Sequence, residues 1–400
     1  MRERIQKLND ELFEKIVDIR RTLHRNPELA YSERETAKLI ANTLEPLGFE
    51  VQTGVARTGI VATLHGGRSG PALALRADMD ALPIQEENTF EFASGNDGVM
   101  HACGHDAHTA SLLGTATILH RLREELPGSI RFLFQPSEEK LPGGALPMIE
   151  EGVLGDAFGP APGAIFGQHV HPGLDAGKIG VRSGRYMASA DEMHIRVEGK
   201  GGHAATPHLL DTDPTLVAAH ILVALQSVVS RYCPPDVPSV LTIGRFIADG
   251  ATNVIPSQAV LEGSFRSLDE DWRFEAHEHI RRIAETTAEA HGAQVSLDIS
   301  TGYPVLHNDP ESAEFVRDAA IRYVGEDNVV DLDVWYASED FAWFLREAPG
   351  AFYRFGTRNE EENIVHGLHT PRFTIDEEAL RMAPGFMAYL ATEYLTAQAA

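Results

Sequence analysis

The chain has 400 residues, enough for roughly two or three domains and for a core that needs no disulfide support. A formal net charge of −25 excludes a generally basic surface, and with it non-specific binding to nucleic acid or to anionic membranes. Two cysteines cannot build a disulfide framework, and six lysines against 28 arginines fit either a salt-rich cytoplasm or a GC-rich genome with an acidic, solvated surface.

In chain order, Ile5, Leu8, Leu12, Ile16 and Ile19 recur at three- and four-residue steps and predict a first helix. This segment is charged and lacks the apolar core of a signal peptide. No window approaches 18 consecutive apolar residues, so no transmembrane helix and a cytoplasmic location are expected. A second helix is expected from about Ser32, with Ser32 as cap, Glu35 in capping-box position and an end near Gly48. Strand-like runs follow at 51–55, 60–64 and 72–76. Then come an apolar helix at 105–122, a strand at 130–135, a helix at 144–151 and a strand at 164–169. Helices alternating with short apolar strands indicate an α/β domain with a mostly parallel sheet, whose chemistry gathers at strand ends.

From about Tyr186 the pattern changes to strand 192–197, helix 213–231 with Pro214 in its first turn, strands 240–247 and 259–267, helix 269–290 and strand 294–300. The order β-α-β-β-α-β is that of a ferredoxin-like unit. It reads as a domain at 186–301 inserted between two parts of a larger one, 1–185 and 302–400.

Four clusters carry chemistry. Met100-His101-Ala102-Cys103-Gly104-His105-Asp106-Ala107-His108 combines thiolate and imidazole, good ligands for zinc and its neighbours. Gln135-Pro136-Ser137-Glu138-Glu139 follows an apolar strand, and of two adjacent carboxylates one can coordinate a metal while the other takes a proton. Gly167-Gln168-His169-Val170-His171-Pro172 and Gly367-Leu368-His369-Thr370-Pro371 complete the set. Any one of these residues alone is more often structural. Together they supply Cys, His, Glu, His and His, enough for two metals.

With the runs RADMDALP (76–83), MHACGHDAH (100–108), FQPSEE (134–139), QHVHP (168–172), GKGGHAATPH (199–208), NVIP (253–256), SEDF (338–341) and LHTPRF (368–373), the chain resembles the M20 metallopeptidase family, most closely its Cys-containing amidohydrolase subfamily. The resemblance implies a dinuclear metallohydrolase domain carrying an inserted ferredoxin-like lid or dimerisation domain. It implies two divalent ions per subunit (zinc, manganese, cobalt or nickel), with Cys103, His105, Glu139, His169 and His369 as ligands and Cys103 bridging. It makes Glu138 the general base and Asp78 an acid that orients a metal ligand. His203 would steady an oxyanion, and Asn253 and Arg266 would hold the substrate carboxylate. Arg76 stands where zinc peptidases of the family have a histidine ligand, so it is not counted among the ligands. The implied reaction is amide hydrolysis of a small N-acyl-L-amino acid, with a dipeptidase or carboxypeptidase as the alternative and a homodimer or tetramer as the assembly. Two rivals of other classes are a catalytically silent metal-binding protein and a hydrolase using Cys103 as nucleophile.

Overall fold

In the computed structural model, which describes residues 1–399, the first periodic segment forms α1 (Arg2–Arg25), burying Ile5, Leu12, Ile16 and Val17. Ala400, the last residue of the expected 302–400 segment, lies outside the described residues. Next come α2 (Arg34–Leu44), β1 (Glu50–Val55), β2 (Gly59–His65), β3 (Arg68–Asp78), α3 (His105–Leu122), β4 (Pro127–Gln135), α4 (Ala145–Glu150), β5 (Ile165–Asp175) and β6 (Ile179–Val181). A second series follows: β7 (Asp191–Glu198), α5 (Pro214–Ser227), β8 (Ser239–Ile247), β9 (Gln258–Ser267), α6 (Glu270–Ala290) and β10 (Gln294–Thr301). The chain ends with α7 (Pro310–Val324), β11 (Val329–Asp331), α8 (Phe341–Glu347), β12 (Gly350–Arg358) and α9 (Ala383–Ala399).

These elements form two units. The first comprises Met1–Gly184, His307–Asp333 and the chain from Asp340. The second comprises Arg185–Leu306 and Val334–Glu339. The first is built on an eight-stranded sheet in the order β1-β2-β4-β3-β5-β12-β6-β11. Its centre, β4-β3-β5-β12, is parallel, whereas the β1-β2-β4 margin and the β12/β6 pair are antiparallel. α3 packs against α1, α9 and β3, and Leu112, Leu113, Ala116, Ile118 and Leu119 are buried. Each such leucine or isoleucine contributes about 1.5–3 kcal/mol through removal of apolar surface from water. In register, Asp78 at the end of β3 faces Gln135 at the end of β4, so polar residues collect at the C-terminal edge of the parallel centre.

One local expectation fails. α2 begins at Arg34, and neither Ser32 nor any side chain of the expected capping box closes it. The Glu28 carboxylate instead accepts the Glu35 and Thr36 N–H groups at 3.1 and 2.9 Å. The residue at the cap position, Glu33, turns its side chain inward.

In the second unit, β8-β9-β7-β10 form a four-stranded antiparallel sheet. β7 alternates buried and exposed residues along its length, as a sheet with one covered face requires. Met193, Ile195, Val197, Val217, Ile221, Phe265 and Trp272 form its core. Asp213 caps α5 and Asp269 caps α6. The segment Pro214–Tyr232 is long and apolar enough, by length and composition, to cross a membrane. Within this unit its Val217, Ile221 and Leu225, at four-residue steps, lie in the core.

Candidate metal centre

Cys103 and His105 flank the turn that opens α3. Gly104 between them has φ +82, and a Cβ there would approach a Val170 methyl to 2.7 Å, so only glycine permits this turn. His169 lies on β5, Glu138 and Glu139 follow β4, and His369 lies on a loop after β12. The His369 N–H donates to the Ala102 carbonyl at 2.8 Å, tying that loop to the Cys103 turn. His369 has φ +60, an unfavourable conformation for a side-chain-bearing residue of the kind found at functional sites.

The ligand atoms of Cys103, His105 and His169 lie within 4.8 Å of one another, as do those of Cys103, Glu139 and His369, and those of His105, Glu138 and Glu139. The structure therefore brings together all five expected ligands and Glu138. Hydrogen bonding sets the tautomers. His169 Nδ1–H donates to the Val170 carbonyl at 2.8 Å, leaving Nε2 3.5 Å from Cys103 Sγ. His105 Nδ1–H donates to Asp80 at 3.2 Å, leaving Nε2 buried without a hydrogen-bond partner. Glu139 Oε1 is likewise buried and without one, although His369 Nε2 lies 3.2 Å away and His105 Nε2 3.9 Å away. Nitrogen, sulfur and carboxylate donors that converge in this way suit a cation, which would displace the protons that His105 and Cys103 otherwise hold.

His108 behaves differently. Its Nδ1–H donates to Asp78 at 2.6 Å and its Nε2 accepts the Val170 N–H at 2.9 Å, so both nitrogens are used. Asp78 also accepts from Arg76 at 2.7 Å and lies 3.7 Å from His105 Nε2. Arg76 reaches Gln135 and Asp340 as well, at 2.8 and 2.9 Å. A guanidinium thus offsets two buried carboxylates.

The charges agree with the geometry. Burial alone would depress His105, but Asp78, Asp80 and Glu139 outweigh it and raise its pKa to about 10. Burial, then Glu139, Glu138 and Asp78, push the Cys103 thiol well up. Burial would raise Asp78, yet His105, His108 and Arg76 hold it well below the usual carboxylate range. Burial and Arg354 push His169 well down, keeping its ring neutral and able to donate a lone pair. An excess of negative charge that burdens a thiolate would equally attract a divalent cation.

Asp80 is a residue the sequence reading passed over. Its Oδ1 accepts from His105 and from the Glu138 N–H (2.9 Å), and its Oδ2 accepts the Glu139 N–H (3.0 Å). Its place in the RADMDALP run was the one available signal.

His203, Asn253 and Arg266 belong to the second unit. His203 is exposed and pairs in register with Val254, next to Asn253. Its Nδ1 accepts the Ala205 N–H at 3.1 Å, so in the neutral ring the proton sits on Nε2. Asn253 is exposed, and its carbonyl accepts the Ala204 N–H. Arg266 is half-buried on β9 and donates to the Tyr336 carbonyl at 2.9 Å; it has no hydrogen-bonded acid partner among the described residues.

Comparison with known proteins shows the family. The model of peptidase family M20/M25/M40 matches residues 74–393. A Bacillus subtilis (strain 168) protein named N-acetylcysteine deacetylase is 42% identical over 378 residues, 94% of this chain and 96% of that one. Thermostable carboxypeptidase 2 of Saccharolobus solfataricus is 39% identical over 383 residues, 95% of each chain. The crystal structure of Bacillus subtilis YXEP, described as a dinuclear metal binding peptidase from the M20 family, superposes with a TM-score of 0.83 at 38% identity, covering 97% of this chain and 99% of that one.

Proposed function

The chain belongs to peptidase family M20/M25/M40, and from that premise we propose that it is a metal-dependent amidohydrolase cleaving N-acyl-L-amino acids to a carboxylic acid and a free amino acid. The observation that carries the reading is the buried convergence of Cys103, His105, Glu139, His169 and His369 beside Glu138, with His105 Nε2 and Glu139 Oε1 left for a ligand. Five donors exceed the needs of one tetrahedral ion and suffice for two ions that share ligands, and the dinuclear description of YXEP supports two. Those five residues would hold the ions, and the soft sulfur of Cys103 would favour zinc, cobalt or nickel over magnesium or calcium. Held there, two divalent ions would polarise the acyl carbonyl and lower the pKa of an attacking water.

The chain's own groups do the rest. Glu138, buried next to the ligands, takes the water's proton and returns it to the leaving nitrogen. Asp78 orients His108 and stays ionised, and Asp80 orients His105. The resemblance assigns His203 to the developing oxyanion, and the Nε2–H left outward by Ala205 is the donor that role needs. It assigns Asn253 and Arg266 to the carboxylate of the amino-acid half, for which a guanidinium fork is suited. A second copy of the chain is the proposed partner. β8 is a sheet edge with Val240 and Phe246 exposed, and α5 exposes Leu216 and Val223, apolar surface that a homodimer, or a tetramer of two such pairs, would cover. The two free cysteines accord with a reducing cytoplasm.

A second reading, dipeptidase or carboxypeptidase at the same centre, is favoured by the identity to thermostable carboxypeptidase 2. Assays of the metal-loaded protein on N-acetyl-, N-benzoyl- and peptidyl-amino acids separate the two. The proposal expects chelator-sensitive hydrolysis of acyl amino acids above that of peptides, and a preference for peptides contradicts it.

A further inference from the structure

The loop carrying Glu138 and Glu139 is held in an unusual way. Five of its backbone N–H groups donate to side-chain carboxylates, not to other backbone. Ser137 N–H donates to Glu33 Oε1 at 2.9 Å. Glu138 and Glu139 N–H donate to the two oxygens of Asp80, and Gly144 and Ala145 N–H to Asp340 Oδ2, both at 3.0 Å. The three carboxylates come from the start of α2, the segment after β3 and the start of α8, and each is buried. Ser137 has φ +53, a conformation that a serine adopts only under restraint, immediately before Glu138.

Asp80 and Asp340 have other duties, Asp80 at His105 and Asp340 at Arg76 and Gln135. Glu33 touches no candidate ligand. Its second oxygen accepts the Thr58 hydroxyl at 2.6 Å, and no basic side chain hydrogen-bonds it among the described residues. Burying a carboxylate with no hydrogen-bonded cation is costly, and its two bonds reach Thr58 and the backbone immediately before Glu138. Through the Ser137 bond Glu33 holds that residue in its left-handed turn, and with it the direction in which Glu138 leaves the loop.

We propose that Glu33, Asp80 and Asp340 form a clamp that positions Glu138 and Glu139 for separate duties, and that Glu33 is its positioning residue for Glu138. The proposal rests on the hydrolase reading above, in which Glu138 is the proton carrier. Misplacement of a catalytic group by about 1 Å costs on the order of 100-fold in rate. Glu33→Ala in the metal-loaded protein should therefore lower kcat about 10- to 100-fold. KM should stay within about threefold, and the bound metal measured by elemental analysis should be unchanged. Glu33→Gln, whose carbonyl can still accept the Ser137 N–H, should recover most of the loss. Should Glu33→Ala not fold, Thr58→Val, which removes one anchor of the Glu33 carboxylate, should lower kcat less steeply at unchanged KM. A Glu33→Ala protein with normal kcat overturns the clamp, as does a Glu33→Gln protein as impaired as Glu33→Ala, or a Thr58→Val protein that loses metal in step with kcat. Glu138→Gln measured alongside separates the two claims. If it retains turnover, the hydrolase reading fails. If it is inactive while Glu33→Ala is normal, only the clamp fails.

Discussion

Asp191 in the second unit and Asp78 in the first are both buried aspartates set among basic side chains, and they differ in what surrounds their partners. Asp191 accepts from two nitrogens of Arg273, from His277 at 2.8 Å and from the Gly302 N–H. Arg273 in turn is closed off by Glu270 and by the Gly302 carbonyl. The cluster is complete in itself. Around Asp78 the inner partners Arg76 and His108 are equally complete, but one step outward His105 Nε2 and Glu139 Oε1 lie 3.9 Å apart and form no hydrogen bond with each other. Carboxylates there outnumber the fixed cations, and the surplus raises His105 and Cys103 together. A saturated buried network serves the fold, whereas one left open at adjacent lone pairs, with uncompensated charge, marks a place for an ion.

The contrast is broken most severely at Glu138. Glu138→Gln should lower kcat by about 10²- to 10⁴-fold while metal content stays that of the parent, because it removes proton transfer and leaves the five donors intact. Retained turnover would return the cluster to a structural role. In the complete network the effect should fall on stability. Asp191→Ala leaves Arg273 buried without its main counter-charge and should cost about 3–5 kcal/mol in denaturant unfolding of the second unit. Metal binding should be unaffected, and an unchanged midpoint would show that the network does not hold the fold. Its pH dependence has a definite sign. Burial would raise the Asp191 carboxyl, but Arg273 and His277 together hold it below its ordinary value. Its contribution is therefore full above about pH 4, the unfolded value, and is lost as pH falls through the lower folded one. Asp191→Ala should flatten that acid limb.

Much of the first unit was legible because its signals are periodic or dense. The apolar run 105–122 coincides with α3, and Cys103, His105, Glu138, Glu139, His169 and His369 lie in four short motifs that the sheet gathers to one edge. The clamp was not legible. Glu33, Asp80 and Asp340 work by accepting backbone N–H groups of a distant loop, and such contacts leave no pattern in side-chain spacing. The missed cap of α2 has the same origin. Ser32 and Glu35 satisfy a local rule, but Glu28 supplied the acceptor and Glu33 was drawn away to Ser137. The antiparallel margins of the sheet were hidden as well, because strand direction follows from connections and not from strand composition.

The central claim is that the open cluster would hold two ions with the Cys103 thiolate among their ligands. Titration of the metal-stripped protein with cobalt(II), followed by elemental analysis and by the sulfur-to-cobalt charge-transfer absorption, tests it most directly. The account predicts two ions per chain with that absorption in the parent, and in Cys103→Ser loss of the absorption together with weakened binding. Two ions bound with no sulfur signal, or a Cys103→Ser protein that binds as the parent does, would contradict it.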